Sequence, residues 1–261
     1  MSKFSVVSKQ VHASLRWRRY TDYRFAASDA VVPLVLQELP KASREFPLAF
    51  VALGEAFVPV SVQGIEPGKN LFVAPDGRWV GSYTPANYRA YPFQLVRTAD
   101  EQLVLAVDED SGLVTEGAEG ELFFQADGTP APVLQEVFDF LSTLQQNREA
   151  TARVCAALQA QQLIQPWPIA VELPEGRRQV DGLYRIDEGA FNRLPAEALV
   201  ALRDLGALPV VYCQLLSMQN LSNLALLARS RPAQPVAAPV SPEAGLDFLN
   251  EGGTINFGKI F

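Results

Sequence analysis

The spacing of apolar residues divides the chain into a β-rich first half and a more helical second half. Up to about residue 125, short runs of valine, leucine and phenylalanine alternate with Gly, Pro and Asp turns. Two β-prone runs on either side of a short turn favour an antiparallel hairpin. Pro59 has no N–H to offer a strand partner, so its strand is predicted to be an edge or to bulge there. The predicted hairpin strands are 48–53 with 57–62, and 93–96 with 103–107.

Two apolar runs have assignments that rest on composition rather than on a clear period. Residues 30–39 combine clustered valines and leucines with Pro33 in what would be a first helical turn. They are predicted to form a short helix capped by Ser28 or Asp29. The run 208–213 contains paired valines and is predicted to be a buried strand, with a helical continuation left open.

The clearest helical period lies beyond residue 125. Between 133 and 144, apolar residues recur every three or four positions, which is the period of one helix face. Asp127 or Thr129 is expected to open this helix, which runs to about residue 163 and divides in two if it breaks near Asn147. The shorter predicted elements are strands at 169–173 and 180–186, a helix from 194 that ends at Gly206, and a helix at 220–229.

These patterns predict an α+β fold in which an antiparallel, turn-rich β region precedes helices and a smaller β element. We expect residues 1–230 to form a single domain, β-rich over 1–125 and helical with some strands over 126–230. Residues 231–243 are rich in proline and alanine, which is typical of an extended linker. The apolar residues of the tail 244–261 could add a strand to a sheet edge, in this chain or in a partner, or could fray.

Composition limits the class of protein and of partner. The chain has 261 residues, of which 48% are apolar and 20% charged, the balance of a globular protein with a core. Its net charge of -7 argues against nucleic-acid binding, because a phosphate backbone requires a basic surface. No run approaches the ~18 apolar residues of a membrane span, and the first residues lack the apolar stretch of a signal peptide. The sequence therefore predicts residence in the cytoplasm, with export without an N-terminal signal left open.

The chain offers few residues for established catalytic or metal-binding arrangements. His12 is the only histidine and no G-x-S-x-G motif is present, so a nucleophile–histidine pair is not predicted. Cys155 and Cys213 are distant in sequence from His12 and from each other, which makes a zinc site a poor fit and favours two buried thiols. The acidic turn at 108–110 lacks the ligand spacing of a calcium loop. We therefore predict no catalytic residue, no metal and no cofactor.

Residues 76–93 have the most distinctive composition in the chain. This signature segment holds five aromatic residues, two arginines and two prolines in eighteen positions. Such residues dominate recognition surfaces because they combine apolar area with a directional polar group. They could also fill the core of a folded turn, in which case Trp79 and Phe93 are expected to pack on the helix face at 133–144. The candidate binding residues are Trp79, Tyr83, Tyr88, Arg89, Tyr91 and Phe93.

The signature segment resembles the pattern D-G-x-W-x-x-x-Y-x-P-x-x-x-R-x-Y-P-F of the bacterial SapC family. Further matches follow in order along the chain: H-x-x-L-R from His12, N-L-F from Asn70, G-L-Y-x-I-D-E from Gly182 and G-A-L from Gly206. The resemblance covers about residues 10 to 225. It implies a connection with surface-layer systems, or with outer-membrane uptake systems encoded beside TonB-dependent receptors and flavin-dependent halogenase-like proteins. The resemblance implies no catalytic residue for this chain.

This resemblance and the aromatic composition together predict a non-catalytic binding or accessory protein with a protein or peptide partner. The alternative is a tailoring or hydrolytic enzyme that uses Tyr, Arg and carboxylate groups near the signature segment. The two classes need different sites. A pocket that joins Arg89 and Tyr91 with a carboxylate of shifted pKa favours the enzyme, whereas an aromatic surface without that set favours binding.

Overall fold

A computed structural model describes residues 4–98, 100–173, 176–230, 249–250 and 254–256. The strands among these residues are β1 (Phe4–Val6), β2 (Arg16–Trp17), β3 (Val31–Pro33), β4 (Leu48–Leu53), β5 (Ala56–Val62), β6 (Phe93–Arg97), β7 (Leu103–Asp108), β8 (Val114–Thr115), β9 (Glu121–Leu122), β10 (Ile164–Pro166), β11 (Ile169–Leu173), β12 (Gly176–Asp181), β13 (Leu183–Ile186), β14 (Leu249–Asn250) and β15 (Thr254–Asn256). The helices are α1 (Lys9–His12), α2 (Leu39–Ala42), α3 (Ala86–Arg89), α4 (Pro132–Ala160), α5 (Glu188–Asn192), α6 (Ala196–Asp204), α7 (Leu208–Ser217) and α8 (Leu221–Ser230).

Most strands have antiparallel neighbours and are accompanied by helices, which confirms the predicted α+β class. The largest sheet has the order β10-β13-β4-β5-β3, and two three-stranded sheets have the orders β1-β7-β6 and β8-β2-β9. In the fourth sheet, β11-β12-β15-β14, the pair formed by β12 and β15 is parallel. Both predicted hairpins are present, as β4 with β5 and β6 with β7.

The five-stranded sheet joins the two halves of the chain. Strand β13, from the second half, pairs with β4 from the first, where Leu183 lies opposite Val51. Strand β5 lies between β4 and β3 and pairs with β4 in unbroken register past Pro59, so it forms neither the predicted edge nor the alternative bulge. The sheet tolerates Pro59 because the ladder with β3 ends at Pro33 opposite Val60, one residue short of the missing N–H.

Helix α4 contributes to both major apolar clusters. Its first half packs in a cluster that contains Trp17, Phe93, Phe123, Leu134, Leu141 and Leu144, and its second half supplies Val154, Cys155 and Leu158 to the main core. That core also includes residues of β4, β5, β13, α6 and α7. The expected packing of Phe93 near α4 is thus confirmed. The expectation for Trp79 is wrong, because its half-buried ring contacts Phe46 and Phe72 at centroid distances of 6.3 and 5.8 Å.

Two apolar runs differ from their predicted assignments. Residues 31–33, predicted as part of a helix, form β3, because the valines pair with β5 and are buried there. The run predicted as a strand at 208–213 lies in helix α7, so the helical alternative is correct. Pro209 lies in the first turn of α7. The buried residues of α7, which are Val210, Val211, Gln214 and Ser217, follow a helical period.

Helix α4 is continuous over 29 residues, so of the two alternatives left open the single helix without a break near Asn147 is correct. The polar side chains in its middle bond back to the helix instead of interrupting it. Asn147 Nδ2 donates to the carbonyl of Thr143 at 3.0 Å, and Thr151 Oγ1 donates to the carbonyl of Asn147 at 2.6 Å. The predicted strand at 180–186 is in turn divided at Gly182, whose φ of 81° directs β12 and β13 into different sheets.

Two short strands lie in the predicted tail. Residues Thr254–Asn256 form β15, which pairs in parallel with 179–181 of β12, and β14 pairs with β15. This backbone pairing adds a strand to a sheet of the same chain. The linker 231–243 and the rest of the tail lie outside the described residues, and a docking role for the tail stays a prediction.

The residues considered for redox or metal chemistry lie mostly inside the fold. His12 is fully buried in α1, with its ring centroid 4.9 Å from that of Phe123. Cys155 and Cys213 are free thiols, and burial raises the pKa of Cys155 to about 12. The described residues contain no group of three or more His, Cys, Asp or Glu side chains that could hold a metal ion. No single helix in the same ranges is both long enough and apolar enough to cross a bilayer. Helix α6 and the helical segment 208–230 meet the two criteria only when they are taken together, and they are bent by 93° relative to each other.

Candidate functional site

The first part of the signature segment is held to the body of the protein by the carboxylate of Glu45. This carboxylate accepts hydrogen bonds from the backbone N–H groups of Ser82 and Tyr83 at 2.7 and 2.8 Å. Trp79 Nε1 donates to the Tyr83 carbonyl at 2.9 Å. A Cβ at Gly81 would lie 2.7 Å from both Glu45 Oε1 and Trp79 Nε1, so a larger residue would have to displace these two side chains. These contacts fix the loop that precedes α3.

A second carboxylate, that of Glu38, holds the start of α3. Glu38 is buried, and its Oε1 accepts from the Tyr83 hydroxyl at 2.9 Å and from the Ala86 N–H at 2.6 Å. Its Oε2 accepts from the Val35 N–H at 3.2 Å. Burial and, after it, the charge of Glu38 raise the pKa of Tyr83, so its hydroxyl remains a donor at neutral pH. Tyr83 therefore acts mainly as a structural link.

The signature residue Tyr88 closes a buried polar network. Its hydroxyl lies 3.3 Å from Asn70 Nδ2 and 3.2 Å from Gln63 Oε1. Asn70 Nδ2 also donates to Gln63 Oε1 at 2.8 Å, and Asn70 Oδ1 accepts from the Phe72 N–H at 2.9 Å. Burial and the nearby charge of Asp29 raise the pKa of Tyr88. The Asn70 of the N-L-F motif is thereby connected to the signature segment.

Tyr91 belongs to a group of aromatic residues at the surface. Its half-buried ring stacks on Phe25, with centroids 3.9 Å apart and planes inclined by 6°. Tyr20 meets Tyr91 edge-on at 6.3 Å. The peptide bond from Tyr91 to Pro92 is cis. The stack gives the segment a rigid aromatic wall.

An open cavity of about 700 Å³, here called the large cavity, lies beside this stack. Phe25 and Tyr91 line it together with the charged residues Asp29, Asp108 and Arg148. Burial raises the pKa of Asp29, and a hydrogen bond with Tyr88 acts in the opposite direction. Burial and the charge of Asp108 raise the pKa of Tyr91. The large cavity thus combines an aromatic stack with polar surface and charges of both signs.

Arg89 does not line the large cavity. It is exposed, and its Cζ lies 5.3 Å from the ring centroid of Phe140 on α4, within range of a cation–π contact. It lines two smaller cavities of about 290 and 260 Å³. The large cavity therefore contains Tyr91 and the carboxylate of Asp29, whose pKa is raised. The arginine that lines the same cavity is Arg148 and not Arg89.

The roles of the six candidate residues overlap. Trp79, Tyr83 and Tyr88 stabilise the loop and the core, and of these Tyr83 also lines the cavity of about 260 Å³ and Tyr88 the large cavity. Arg89 and Tyr91 line cavities, and Phe93 is buried in the cluster with α4 and lines two of the cavities. A binding role for this set stays a prediction.

Sequence reasoning missed Phe25, Asp29 and Arg148. A signal for Arg148 exists, since it follows the buried Leu141 by seven positions and Leu144 by four. A charged residue on an otherwise apolar helix face indicates either a buried partner or a cavity. Asp29 has no comparable signal, because its role depends on the fold that brings it beside Tyr88.

A comparison with known protein families gives a match. The family model described as SapC matches residues 7–224, which is most of the chain. Comparisons with curated proteins and with solved structures each find no match. The matched range contains the signature segment and every residue that lines the large cavity except Phe4. This chain therefore belongs to the SapC family.

Proposed function

We propose that this SapC-family protein is a non-catalytic binding protein that works with bacterial cell-envelope, surface-layer or TonB-dependent uptake systems. Its site is the large cavity and its partner is a protein or a peptide. The observation that carries this proposal is the stacked pair of Phe25 and Tyr91 beside an open cavity of about 700 Å³.

The size and walls of the large cavity suit a segment of polypeptide. Ligand sites usually have volumes of ~300–1,000 Å³ and combine apolar walls with a few directed polar groups. The stacked rings supply a rigid apolar surface for one side chain, and rigid aromatics bind with little loss of conformational entropy. A polypeptide segment of a few residues has the matching length and apolar content.

The polar groups of the large cavity also suit a peptide, because they include both donors and acceptors. Asp29 and Asp108 supply carboxylate oxygens, and Gln94 supplies both an oxygen and an N–H₂ group. Arg148 donates from Nη2 to Asn87 Oδ1 at 2.7 Å and has further N–H groups on the same guanidinium. A peptide backbone carries N–H donors and carbonyl acceptors in equal number and can use both kinds.

Blocking the large cavity is expected to abolish partner capture. Ser28 is exposed, lies in a turn and lines this cavity, so Ser28→Trp introduces a bulky group into the cavity without disturbing a core position. The matched control is Ser14→Trp, since Ser14 is also exposed in a turn but lines none of the three cavities around the signature segment. Affinity capture with wild type and both variants, followed by mass spectrometry of retained proteins, makes the measurement.

A partner at this site is retained by wild type and by Ser14→Trp and is lost with Ser28→Trp. Its affinity, measured with the purified partner, is expected to fall at least ~tenfold in Ser28→Trp, or ~1.4 kcal/mol. Equal retention by all three proteins contradicts the proposed site.

The alternative function, an enzyme, is favoured by one specific observation. Asp29 has a raised pKa and lines the same cavity as Tyr91 and Arg148, a set from which a proton donor could be drawn.

The variant Asp29→Asn tests this alternative, because it preserves the shape of the side chain while removing the proton that a general acid transfers. If Asp29 is catalytic, small molecules or peptides that wild type converts should remain unconverted with Asp29→Asn, although they still bind. Mass spectrometry of the captured ligand fraction after incubation with each protein detects the conversion. Identical ligand spectra with wild type and Asp29→Asn contradict the enzyme.

A further inference from the structure

A second cavity, of about 290 Å³, shares with the large cavity a wall formed by Tyr91 and Phe93. Two arginines border it, so we call it the arginine cavity. Its lining residues are Trp17, Arg19, Tyr20, Arg89, Ala90, Tyr91, Phe93 and Val137. Binding in this cavity does not depend on the proposed peptide site.

The arginine cavity is positively charged in a protein that is acidic overall. Its described lining includes no acidic residue, while the chain has a net charge of -7. Across the described ranges, neither Arg19 nor Arg89 forms an ion pair with a carboxylate. Burial and the neighbouring Tyr23 raise the pKa of Tyr20. The positive charge of Arg89 acts in the opposite direction, which shows that Arg89 lies near this part of the cavity wall.

The polar groups around the arginine cavity are mainly hydrogen-bond donors. A guanidinium carries five N–H donors and no acceptor, and an indole carries one N–H donor. Nε1 of Trp17 is buried and has no hydrogen-bond partner among the described residues. A site composed in this way calls for a ligand rich in acceptors. The planar fork of arginine fits the two oxygens of a carboxylate, or those of a phosphate, through paired hydrogen bonds.

The walls and the volume of the arginine cavity restrict the rest of the ligand. Trp17 and Phe93 meet edge to face, with centroids 4.8 Å apart and planes inclined by 87°. Together with Tyr20, Tyr91 and Val137 they form the aromatic and aliphatic part of the cavity wall. At about 290 Å³ the cavity lies at the lower end of the usual ligand-site volumes and has room for one ring or one branched side chain together with its carboxylate.

We infer that the arginine cavity binds a carboxylate attached to a small aromatic or branched apolar group. Arg19 and Arg89 hold the carboxylate, and the ring or branched group lies on the aromatic wall. Two sources share this chemistry: a free small-molecule acid, and the C-terminal residue of a peptide.

Calorimetric titration of the full chain with matched probes tests the inference. N-acetyl-L-phenylalanine carries the carboxylate and a ring, N-acetyl-L-phenylalaninamide has the same body without the charge, and inorganic phosphate has the charge without the body. The acid is expected to bind at least ~tenfold more tightly than the amide or phosphate, and its affinity should fall as NaCl is raised. Equal affinities for acid and amide, or tighter binding of phosphate, would overturn the inference.

Variants then assign the site to the two arginines. Arg19→Gln and Arg89→Gln should each weaken binding of the acid ~tenfold or more, and Arg89→Lys should weaken it less, because it keeps the charge but loses the fork. The control is Arg18→Gln, since Arg18 is exposed beside Arg19 and does not line the cavity. Both cavity arginines are exposed, so the melting temperatures should stay unchanged. Wild-type affinity in both Arg19→Gln and Arg89→Gln would refute the assignment.

The same titration distinguishes the two sources of the carboxylate. The peptide Gly-Ala-Ala-Phe presents the identical terminal residue at the end of a backbone. Tighter binding of this peptide than of the acetylated amino acid identifies a peptide C-terminus as the ligand class. Weaker binding of the peptide identifies a free small-molecule acid as the ligand class, because the longer chain then clashes with the residues at the edge of the arginine cavity.

Discussion

Neither fragment 1–125 nor fragment 126–230 is expected to fold by itself. The cut would separate β3, β4 and β5 from β10 and β13, which belong to the same five-stranded sheet. It would also remove α4 from the apolar residues it covers in both clusters, including Phe93 and Phe50. An exposed sheet edge and an uncovered core leave each fragment without the burial that offsets its conformational entropy.

Circular dichroism melts of the two fragments, the equimolar mixture and the full chain measure this effect. Fragment 1–230 is the matched control, because it removes only the linker and the tail and is expected to melt cooperatively. The separate fragments should show no cooperative transition. Two independently stable fragments would show that the chain contains two domains and that the shared core contributes little.

Replacing Glu38 with alanine is expected to lower the free energy of unfolding by ~3 kcal/mol. The substitution leaves the N–H groups of Val35 and Ala86 and the hydroxyl of Tyr83 without their acceptor. A buried donor that loses its acceptor costs ~1–3 kcal/mol. Relief of the desolvation of the Glu38 carboxylate reduces the total below the simple sum of these losses.

Glu45→Ala is the matched comparison for Glu38→Ala. Glu45 also accepts two backbone hydrogen bonds, but its contacts with Ser82 are exposed to water, which can replace the lost acceptor. We therefore expect a loss of only ~1 kcal/mol for Glu45→Ala. Urea denaturation of both variants gives the two values. Equal losses would mean that the burial of Glu38 does not determine its contribution.

The parts of the fold that follow from local sequence were predictable. The hairpins β4–β5 and β6–β7 depend on short connections, and helix α8 depends on a local period. The wrong assignments concern apolar runs such as 31–33 and 208–213, where composition alone does not distinguish strand from helix. There the outcome depends on partners, namely β5 for the first run and the packing of α7 on the sheet for the second.

The candidate site shows the same division between local and non-local information. The density of aromatic residues identified the signature segment, including Arg89 and Tyr91. The residues that complete the cavities come from elsewhere in the chain: Arg19, Phe25 and Asp29 lie far before the segment, and Arg148 lies on α4. Only the folded chain brings them beside Tyr91.

The wall of Tyr91 and Phe93 has a consequence for any pair of ligands. Because both residues line the large cavity and the arginine cavity, a ligand that shifts this wall from one side changes the space available on the other. The two occupancies are then coupled, and thermodynamic reciprocity requires each ligand to alter the affinity of the other by the same factor. The stack of Tyr91 on Phe25 limits how far the wall can move, and therefore how large that factor can become.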